Sequence, residues 1–319
     1  MTSEKKIKDL RIIFMGTPEF AVASLDALVN AECNIVAVIT APDKPAGRGM
    51  QMQQSAVKKY ALEKGLHILQ PEKLKNPLFI EVLKSLKADM QIVVAFRMLP
   101  EIVWSMPPMG TINVHASLLP QYRGAAPINR AIINGETETG ITTFKLQQQI
   151  DTGNILMQEK ILIGENETAG ELHDRLKILG ANVLVKTIAA ITEGSIREII
   201  QTEIYNSKFT QYDSGFTLKH APKISNDTCK IDWNKSTHDI FNLIRGLSPY
   251  PAAFTFLHDK ILKIYSGTKE ICAHHLDNGS WQSDGKFILK FPCADGFIHC
   301  TDIQLQGKKR MLIEDFLRG

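Results

Sequence analysis

The sequence predicts an α/β protein, in which a Rossmann-like, mostly parallel sheet is followed by a smaller β-rich domain. In the first two thirds of its 319 residues, short apolar runs alternate with helical patterns. Such runs are typical of parallel strands that are buried on both faces. In the last third, short strands follow one another between Gly, Asp and Asn turns, which is typical of a small barrel.

The first domain is predicted to alternate strands with helices along the chain. The predicted strands are at residues 11–15, 35–40, 67–69, 91–95 and 111–115. The predicted helices are at residues 18–28, 54–64, 77–86 and 169–192. Ligands of doubly wound sheets bind outside the carboxyl ends of the strands. The residues that directly follow the first and the last of these strands are therefore the first candidates for a site.

Beyond this domain the periodicity weakens, and we predict a domain at 1–203, a linker at 204–222 and an OB-like β-barrel at 223–319. Residues 204–230 are polar, which is typical of a linker. The barrel is predicted to begin with a helix at 236–247 and to continue with strands. These strands are predicted at 250–257, 261–265, 287–291 and 297–303.

Composition excludes several classes of protein. No apolar run approaches the roughly 18–20 residues that span a bilayer, and the charged first ten residues do not form a secretory signal. The five cysteines form no C-x-x-C pair, which argues against a disulfide framework. We therefore expect a protein of the reducing cytoplasm, without a membrane partner.

Charge is unevenly distributed between the two predicted domains. Up to Ser207 the chain has 22 Lys and Arg against 22 Asp and Glu, whereas the remainder has 15 against 12. Six of the nine histidines also lie in this last part. The bias is mild, so it permits a polyanionic partner of the C-terminal domain without requiring one.

Common catalytic motifs are missing. The G-T-P-E-F segment after the first strand lacks the glycines of G-x-G-x-x-G, which argues against a nicotinamide enzyme. There is no G-x-x-x-x-G-K-[ST], no H-E-x-x-H, no cysteine and histidine spacing for zinc and no G-x-S-x-G elbow. The sequence thus disfavours nucleotide hydrolysis, zinc hydrolysis and serine hydrolysis.

The segment T-I-N-V-H-A-S-L-L-P-Q-Y-R-G, residues 111–124, places polar groups at the end of a strand. Asn113 and His115 are two residues apart, so they point to the same side. Asp151 follows 36 residues later in I-D-T-G-N. Taken singly, such a histidine is more often structural and the aspartate is typical of a hairpin turn. Together, an amide and an imidazole suit stabilisation of an oxyanion, while a carboxylate fixes the imidazole tautomer and moves a proton. This chemistry suits acyl transfer to an amine without a metal.

The run N-V-H-A-S-L-L-P-Q-Y-R-G-A-A-P, with D-T-G-N-I-L downstream, resembles the folate-dependent formyltransferases. The segments R-I-I-F-M-G-T-P-E-F, A-P-D-K-P-A-G-R-G, I-D-W and S-P-Y-P-A extend the resemblance over nearly the whole chain. They are most similar to the family members that act on initiator tRNA. The resemblance implies that the donor is 10-formyltetrahydrofolate and that the acceptor is the α-amino group of methionine on initiator Met-tRNA.

The resemblance also implies roles for individual residues. It makes the catalytic set Asn113, His115 and Asp151. It makes the folate site Phe96, Met98, Leu99, Ser117, Leu118, Leu119 and Pro120. It makes residues 41–51 a loop that reaches tRNA through Lys44 and Arg48, and it makes the C-terminal barrel a tRNA-binding module.

Two features depart from the family pattern. Lys44 stands where related sequences carry arginine, so the charge is kept but the bidentate fork is lost. The segment 93–100, V-V-A-F-R-M-L-P, is one residue shorter than in the family. These departures bear on the tRNA and folate contacts respectively.

Three other functions stay open at this point. The acceptor could be glycinamide ribonucleotide or a sugar-nucleotide amine, the donor could be hydrolysed to formate, or the chain could be a non-catalytic RNA-binding scaffold. The β-rich domain and the basic loop favour tRNA over a small acceptor, and the three polar residues argue against a scaffold. We expect a monomer without a stable protein partner, because no apolar stripe is left over.

Overall fold

The computed structural model describes residues 7–46, 51–204 and 217–318. The chain divides into two compact units. The first comprises the described residues within Met1–Arg123, Gly140–Lys160 and Asp174–Lys219. The second comprises the described residues within Gly124–Thr139, Ile161–His173 and His220–Gly319. Two short segments from the middle of the chain therefore belong to the unit that contains the C-terminal residues.

The described elements are numbered in chain order. The strands are β1 (Arg11–Gly16), β2 (Asn34–Ile39), β3 (Lys44–Ala46), β4 (Gln51–Gln53), β5 (Ile68–Leu69), β6 (Met90–Val94), β7 (Thr111–His115), β8 (Arg123–Gly124), β9 (Glu138–Lys145), β10 (Ile155–Leu162), β11 (His220–Ala221), β12 (Ala253–Leu257), β13 (Lys260–Ile271), β14 (Gln282–Ser283), β15 (Leu289–Cys293), β16 (Gly296–Leu305) and β17 (Met311–Leu312). The α-helices are α1 (Glu19–Asn30), α2 (Ala56–Glu63), α3 (Pro77–Ser85), α4 (Glu101–Trp104), α5 (Pro127–Ile133), α6 (Ala169–Thr192), α7 (Asn226–Cys229), α8 (Thr237–Leu247) and α9 (Ile313–Leu317).

The sheet of the first unit has seven strands in the order β10-β9-β7-β6-β1-β2-β5. The pairs formed by β5, β2, β1, β6 and β7 are all parallel, which confirms the predicted mostly parallel sheet. Four consecutive apolar residues of β1, from Ile12 to Met15, are fully buried, as expected for a strand covered on both faces. The sequence analysis did not predict β9 and β10, and β9 runs antiparallel to β7.

The strand order reverses between β1 and β6. From β1 the chain proceeds to β2 and β5 on one side, whereas β6 and β7 lie on the other. The last residues of β1 and β6, Gly16 and Val94, are paired in register. At Gly16 a Cβ would lie only 2.6 Å from the Cβ of Ala21, so the start of α1 approaches the strand end too closely for a larger residue. The crevice outside these carboxyl ends is where doubly wound sheets bind ligands.

The second unit is built on a curled, half-barrel sheet. Its strands are antiparallel in the order β12-β13-β16-β15-β14, with β17 paired to β16. Trp233 stacks on Phe291 in the core, with ring centroids 4.7 Å apart, and its Nε1 donates to Thr255 Oγ1 at 2.9 Å. The predicted strand at 261–265 extends to Ile271, and α7 lies within the polar stretch 204–230, for which no helix was predicted. The predicted fold class is thus confirmed in both units.

Long apolar helices are missing from the described part of the chain. The 24 residues of α6 include charged side chains from Glu171 to Lys186. No helix in residues 7–46, 51–204 or 217–318 combines the length and the apolar character that a membrane span requires.

Candidate active site

Strand β7 carries the two polar residues that the sequence analysis selected. It pairs with β6 on one side and with β9 on the other, which leaves its carboxyl end at the crevice of the sheet. Asn113 is half-buried, and His115 is only 6% exposed. Because successive side chains alternate along a strand, both residues point to the same face.

The imidazole of His115 is fixed by a backbone carbonyl. Its Nε2 lies 2.9 Å from the carbonyl oxygen of Tyr122, and the ring meets Phe144 edge-on at 6.4 Å between centroids. A carbonyl oxygen only accepts hydrogen bonds, so Nε2 carries the hydrogen of this contact. The other nitrogen, Nδ1, is therefore the one that can gain or lose a proton. Sequence reasoning assigned the control of this tautomer to Asp151 and did not name Tyr122.

Asp151 faces the Nδ1 atom of that ring. Its Oδ2 lies 3.8 Å from His115 Nδ1, and both side chains are largely buried, at 13% and 7% exposure. The distance suits an ion pair rather than a direct hydrogen bond. Asp151 lies in the turn between β9 and β10, with a left-handed backbone conformation (φ 54°). The structure thus brings together two residues that are 36 positions apart in the sequence.

The amide of Asn113 has no side-chain hydrogen bond to any described residue, whereas its main chain is paired with both neighbouring strands. A half-buried amide normally finds a partner. Its N–H groups are therefore free to donate to a group placed beside His115.

Two residues that sequence reasoning missed lie behind Asp151. Gln201 is 2% exposed, and its Nε2 donates to the carbonyl oxygens of Asp151 and Gly153 at 2.9 and 2.8 Å. Arg123 donates to Gln201 Oε1 from both Nε and Nη2, at 3.0 and 2.6 Å. Burial lowers the pKa of Arg123, and the nearby charge of Asp151 partly opposes that shift. Arg123 belongs to the quoted Q-Y-R-G run, but no pattern in the sequence links Gln201 to Asp151.

The predicted folate residues after β7 form a turn whose backbone is firmly held. The Oγ1 of Thr142 donates to the Ser117 carbonyl at 2.6 Å and accepts from the Leu119 amide at 3.1 Å. Leu119 is 2% exposed and packs in a cluster with other core residues, so its side chain anchors the turn. Pro120 is buried as well, whereas Leu118 is half-buried.

The other predicted folate residues follow β6 and differ widely in exposure. Phe96 is half-buried, Met98 is 74% exposed and Leu99 is 8% exposed in the core. Arg97 fixes this segment, because its guanidinium donates to the carbonyl oxygen of Glu72 at 2.7 Å. Burial lowers the pKa of Arg97. Contact of these residues with folate stays a prediction.

The predicted tRNA loop is described only in part. Lys44 is exposed at the start of β3, which pairs with β4 in a two-stranded ladder. Arg48 lies outside the described residues. Immediately before Lys44, the carboxylate of Asp43 pairs with Lys58 Nζ at 2.6 Å. The described residues contain no cluster of His, Cys, Asp or Glu that could hold a metal ion.

Two family models match this chain. One, described as "Formyl transferase", matches residues 10–188, which is more than half of the chain. The other, described as "Formyl transferase, C-terminal domain", matches residues 223–319. The first match includes every residue of the predicted catalytic set, whereas Gln201 lies between the two matches.

Curated relatives are similar over their whole length. A protein of Bacteroides thetaiotaomicron named methionyl-tRNA formyltransferase is 50% identical over 319 residues, which cover 98% of this chain and 97% of that protein. A protein of the same name from Parabacteroides distasonis is 51% identical over 320 residues, with 98% and 97% coverage. Among solved structures, the sugar 3N-formyl transferase WlaRD, with dTDP and 5-N-formyl-THF, has a TM-score of 0.65 at 20% identity. That alignment covers 96% of this chain and 100% of the other, and at this identity it shows a shared fold alone.

Proposed function

The chain belongs to the formyl transferase family, and we propose that it transfers the formyl group of 10-formyltetrahydrofolate to the α-amino group of methionine on initiator Met-tRNA. The observation that carries the proposal is the pairing of His115 and Asp151 at 3.8 Å. This pair lies at the carboxyl end of β7, in a chain that is half identical to full-length relatives named for this reaction.

In the proposed reaction, the neutral α-amino nitrogen attacks the formyl carbon directly. An α-amino group has a pKa of roughly 7.7–8.0, so a neutral fraction exists at pH 7 without a metal. The attack forms a C–N bond and turns the formyl oxygen into an oxyanion. Asn113 donates its otherwise unused amide hydrogen to that oxygen, and His115 adds a second donor through Nδ1 once that nitrogen has taken up the proton of the amine.

Proton transfer completes the exchange. The attacking nitrogen must lose a proton, and the N10 nitrogen of the donor must gain one as its bond to the formyl carbon breaks. Nδ1 of His115 exchanges protons on the side that faces Asp151, since Nε2 is committed to the Tyr122 carbonyl. The carboxylate of Asp151 stabilises the imidazolium form while the proton is held. The products are formylmethionyl-tRNA and tetrahydrofolate.

The acceptor is proposed from the second unit and from the relatives. The excess of basic residues beyond Ser207 suits a polyanionic acceptor better than a small amine. The full-length relatives share both units and are named for a tRNA substrate.

The five cysteines are all unpaired thiols, which supports a reducing cytoplasm as the site of action.

A direct comparison of acceptors tests this proposal. Purified protein is incubated with 10-formyltetrahydrofolate and, in parallel, with charged initiator tRNA, charged elongator tRNA, glycinamide ribonucleotide and buffer alone. We expect formylation of the charged initiator tRNA, weaker formylation of the elongator and no more formate in buffer than from the donor itself. Formylation of the ribonucleotide alone would refute the tRNA acceptor, and rapid formate release without an acceptor would favour a hydrolase.

A further inference from the structure

The segment that follows α6 lies against the Asp151 turn. Ile199 and Ile155 exchange two backbone hydrogen bonds, at 2.8 and 2.9 Å, which joins the segment to the start of β10. Glu198 accepts from the Asn154 amide at 3.0 Å and pairs with Lys145 Nζ at 2.5 Å. Lys145 ends β9 and Asn154 precedes β10, so both ends of the turn are tied to this segment.

Gln201 makes the deepest of these contacts. Its two N–H groups donate to the carbonyl oxygens of Asp151 and Gly153, and its carbonyl oxygen accepts twice from Arg123. The amide therefore uses its full hydrogen-bonding capacity. The reverse orientation would place the amide oxygen against two carbonyl oxygens and its nitrogen against a guanidinium. Only one orientation of the side chain is thus compatible with its surroundings.

The turn needs such support because its backbone is constrained. Asp151 has a φ of 54°, a left-handed conformation that residues with a side chain seldom adopt. Gly153 lies so close to the end of β9 that a Cβ there would overlap the Lys145 carbonyl oxygen. The bonds from Gln201 fix the Asp151–Thr152 and Gly153–Asn154 peptide groups, and with the first of them the direction in which the Asp151 side chain leaves the backbone.

We propose that Gln201 is a positioning residue, which holds the carboxylate of Asp151 opposite His115 Nδ1 while Arg123 keeps the glutamine amide correctly oriented. This inference rests on the proposed function, in which Asp151 assists proton transfer. It extends the catalytic machinery beyond the region matched by the N-terminal family model, which ends at residue 188. Residues between the two matched regions then contribute to the chemistry as well as connecting them.

Two variants of Gln201 and one matched control test the inference. Gln201→Met keeps the side-chain volume and removes all polar contacts. Gln201→Glu keeps an acceptor for Arg123 but loses both donors to the turn. Gln91→Met is the control, because Gln91 is 1% exposed, hydrogen-bonds to Thr111 and lies at the opposite, amino end of β6. Each protein is assayed for kcat, for KM with the folate donor and with charged initiator tRNA, and for thermal stability.

We expect both Gln201 variants to lower kcat by about 10- to 100-fold, because a misplacement near 1 Å at a catalytic group has effects of this size. Both KM values should stay within about threefold of wild type, and Gln91→Met should reduce Tm without a comparable change in kcat. Gln201→Glu should be no more active than Gln201→Met. Activity near wild type in Gln201→Glu would overturn the inference, because it would show that pairing with Arg123 is all that matters.

Hydrogen–deuterium exchange provides a readout that does not depend on turnover. Peptides that cover residues 146–156 should exchange faster in Gln201→Met than in wild type, and Gln91→Met should leave them unchanged. Unchanged exchange together with unchanged kcat would refute the positioning role while wild-type formylation still supported the function. If wild type did not formylate Met-tRNA, the proposed function would fail, and faster exchange would show only that Gln201 holds the turn.

Discussion

The segment with Lys44 and the turn with Asp151 are each anchored by an acidic residue that pairs with a lysine. The two regions differ in their further contacts. Next to Lys44, the carboxylate of Asp43 accepts from Lys58 at 2.6 Å and from the Gln70 amide at 2.9 Å. These hydrogen bonds, with that from Lys58 the larger contribution, lower the pKa of Asp43. Lys44 itself is exposed, and its strand β3 pairs with β4.

Beside the Asp151 turn, Glu198 is the anchoring carboxylate, as Asp43 is beside Lys44. It pairs with Lys145 and with the Asn154 amide, and the hydrogen bond from Lys145 is the main cause of its lowered pKa. The turn then receives a second layer of support from the buried Gln201, whereas the amide that binds a backbone carbonyl beside Lys44, that of Gln70 on Ala41, is only half-buried. A lysine that attracts a polyanion needs charge more than exact placement, whereas a carboxylate that assists proton transfer must be placed within fractions of an ångström.

The largest effect is expected on kcat, for a substitution of His115. It tests whether the residues at the end of β7 affect the chemical step without affecting tRNA binding. His115→Ala should lower kcat by about 10²–10³-fold, the loss typical of one removed oxyanion donor. Affinity for charged initiator tRNA should stay near wild type, since His115 is only 6% exposed. The measurements are single-turnover formylation and a tRNA-binding titration.

The matched control for that change is His67→Ala, which removes an exposed histidine of the same unit. It should leave kcat and tRNA affinity unchanged. Equal turnover of wild type and His115→Ala would remove His115 from the catalytic set. A parallel loss of tRNA affinity would break the contrast between a site for chemistry and a site for binding.

A smaller effect is expected at Lys44. Lys44→Met should weaken tRNA binding by less than about tenfold, because exposed ion pairs are worth roughly 0.2–1 kcal/mol. If Lys44 contacts a phosphate, the slope of log affinity against log salt should also fall by about 1. At saturating tRNA, kcat should be unchanged.

Lys84→Met is the control for Lys44, because it neutralises an exposed lysine on α3, away from the strand ends that form the crevice. It should change neither the affinity nor the salt slope. An equal loss in both variants would mean that the protein attracts tRNA through its general charge rather than through the Lys44 segment.

Sequence patterns were enough to predict the parallel strands, and they also supplied the prediction of the candidate site. Consecutive apolar residues of β1 and β6 and the spacing of Asn113 and His115 depend on local rules, namely burial on both faces and alternation along a strand. The β-rich second unit was predicted in the same way, as a small barrel, from short strands between turns.

What sequence patterns did not reveal depends on contacts between distant residues. Gln201 lies 50 positions from Asp151, and a glutamine carries no periodicity or motif that would point to a partner. The Tyr122 carbonyl is a backbone group, so its role toward His115 leaves no trace in residue identity. Leu119 was assigned to the folate site from the resemblance, whereas its burial depends on packing with Phe144 and Ile155.

The smallest expected effect concerns the two carboxylate anchors at low pH. In the folded protein the pKa values of Glu198 and Asp43 are lowered, whereas in the unfolded chain they are roughly 4.3 and 3.9. A lowered folded pKa stabilises the fold above the unfolded value, and this contribution is lost as the pH falls toward the folded pKa. Both anchors should therefore weaken below about pH 4.

Glu198→Gln and Asp43→Asn remove the charge of each anchor and nearly keep its shape. Wild type should have a higher Tm than either variant at pH 7, and the difference should shrink as the pH falls below about 4. At pH 7, only Glu198→Gln should also lower kcat, because only that anchor belongs to the support of Asp151. If Asp43→Asn lowered kcat equally, the Lys44 segment would also contribute to the chemical step. The proposed difference between the two regions would then be wrong.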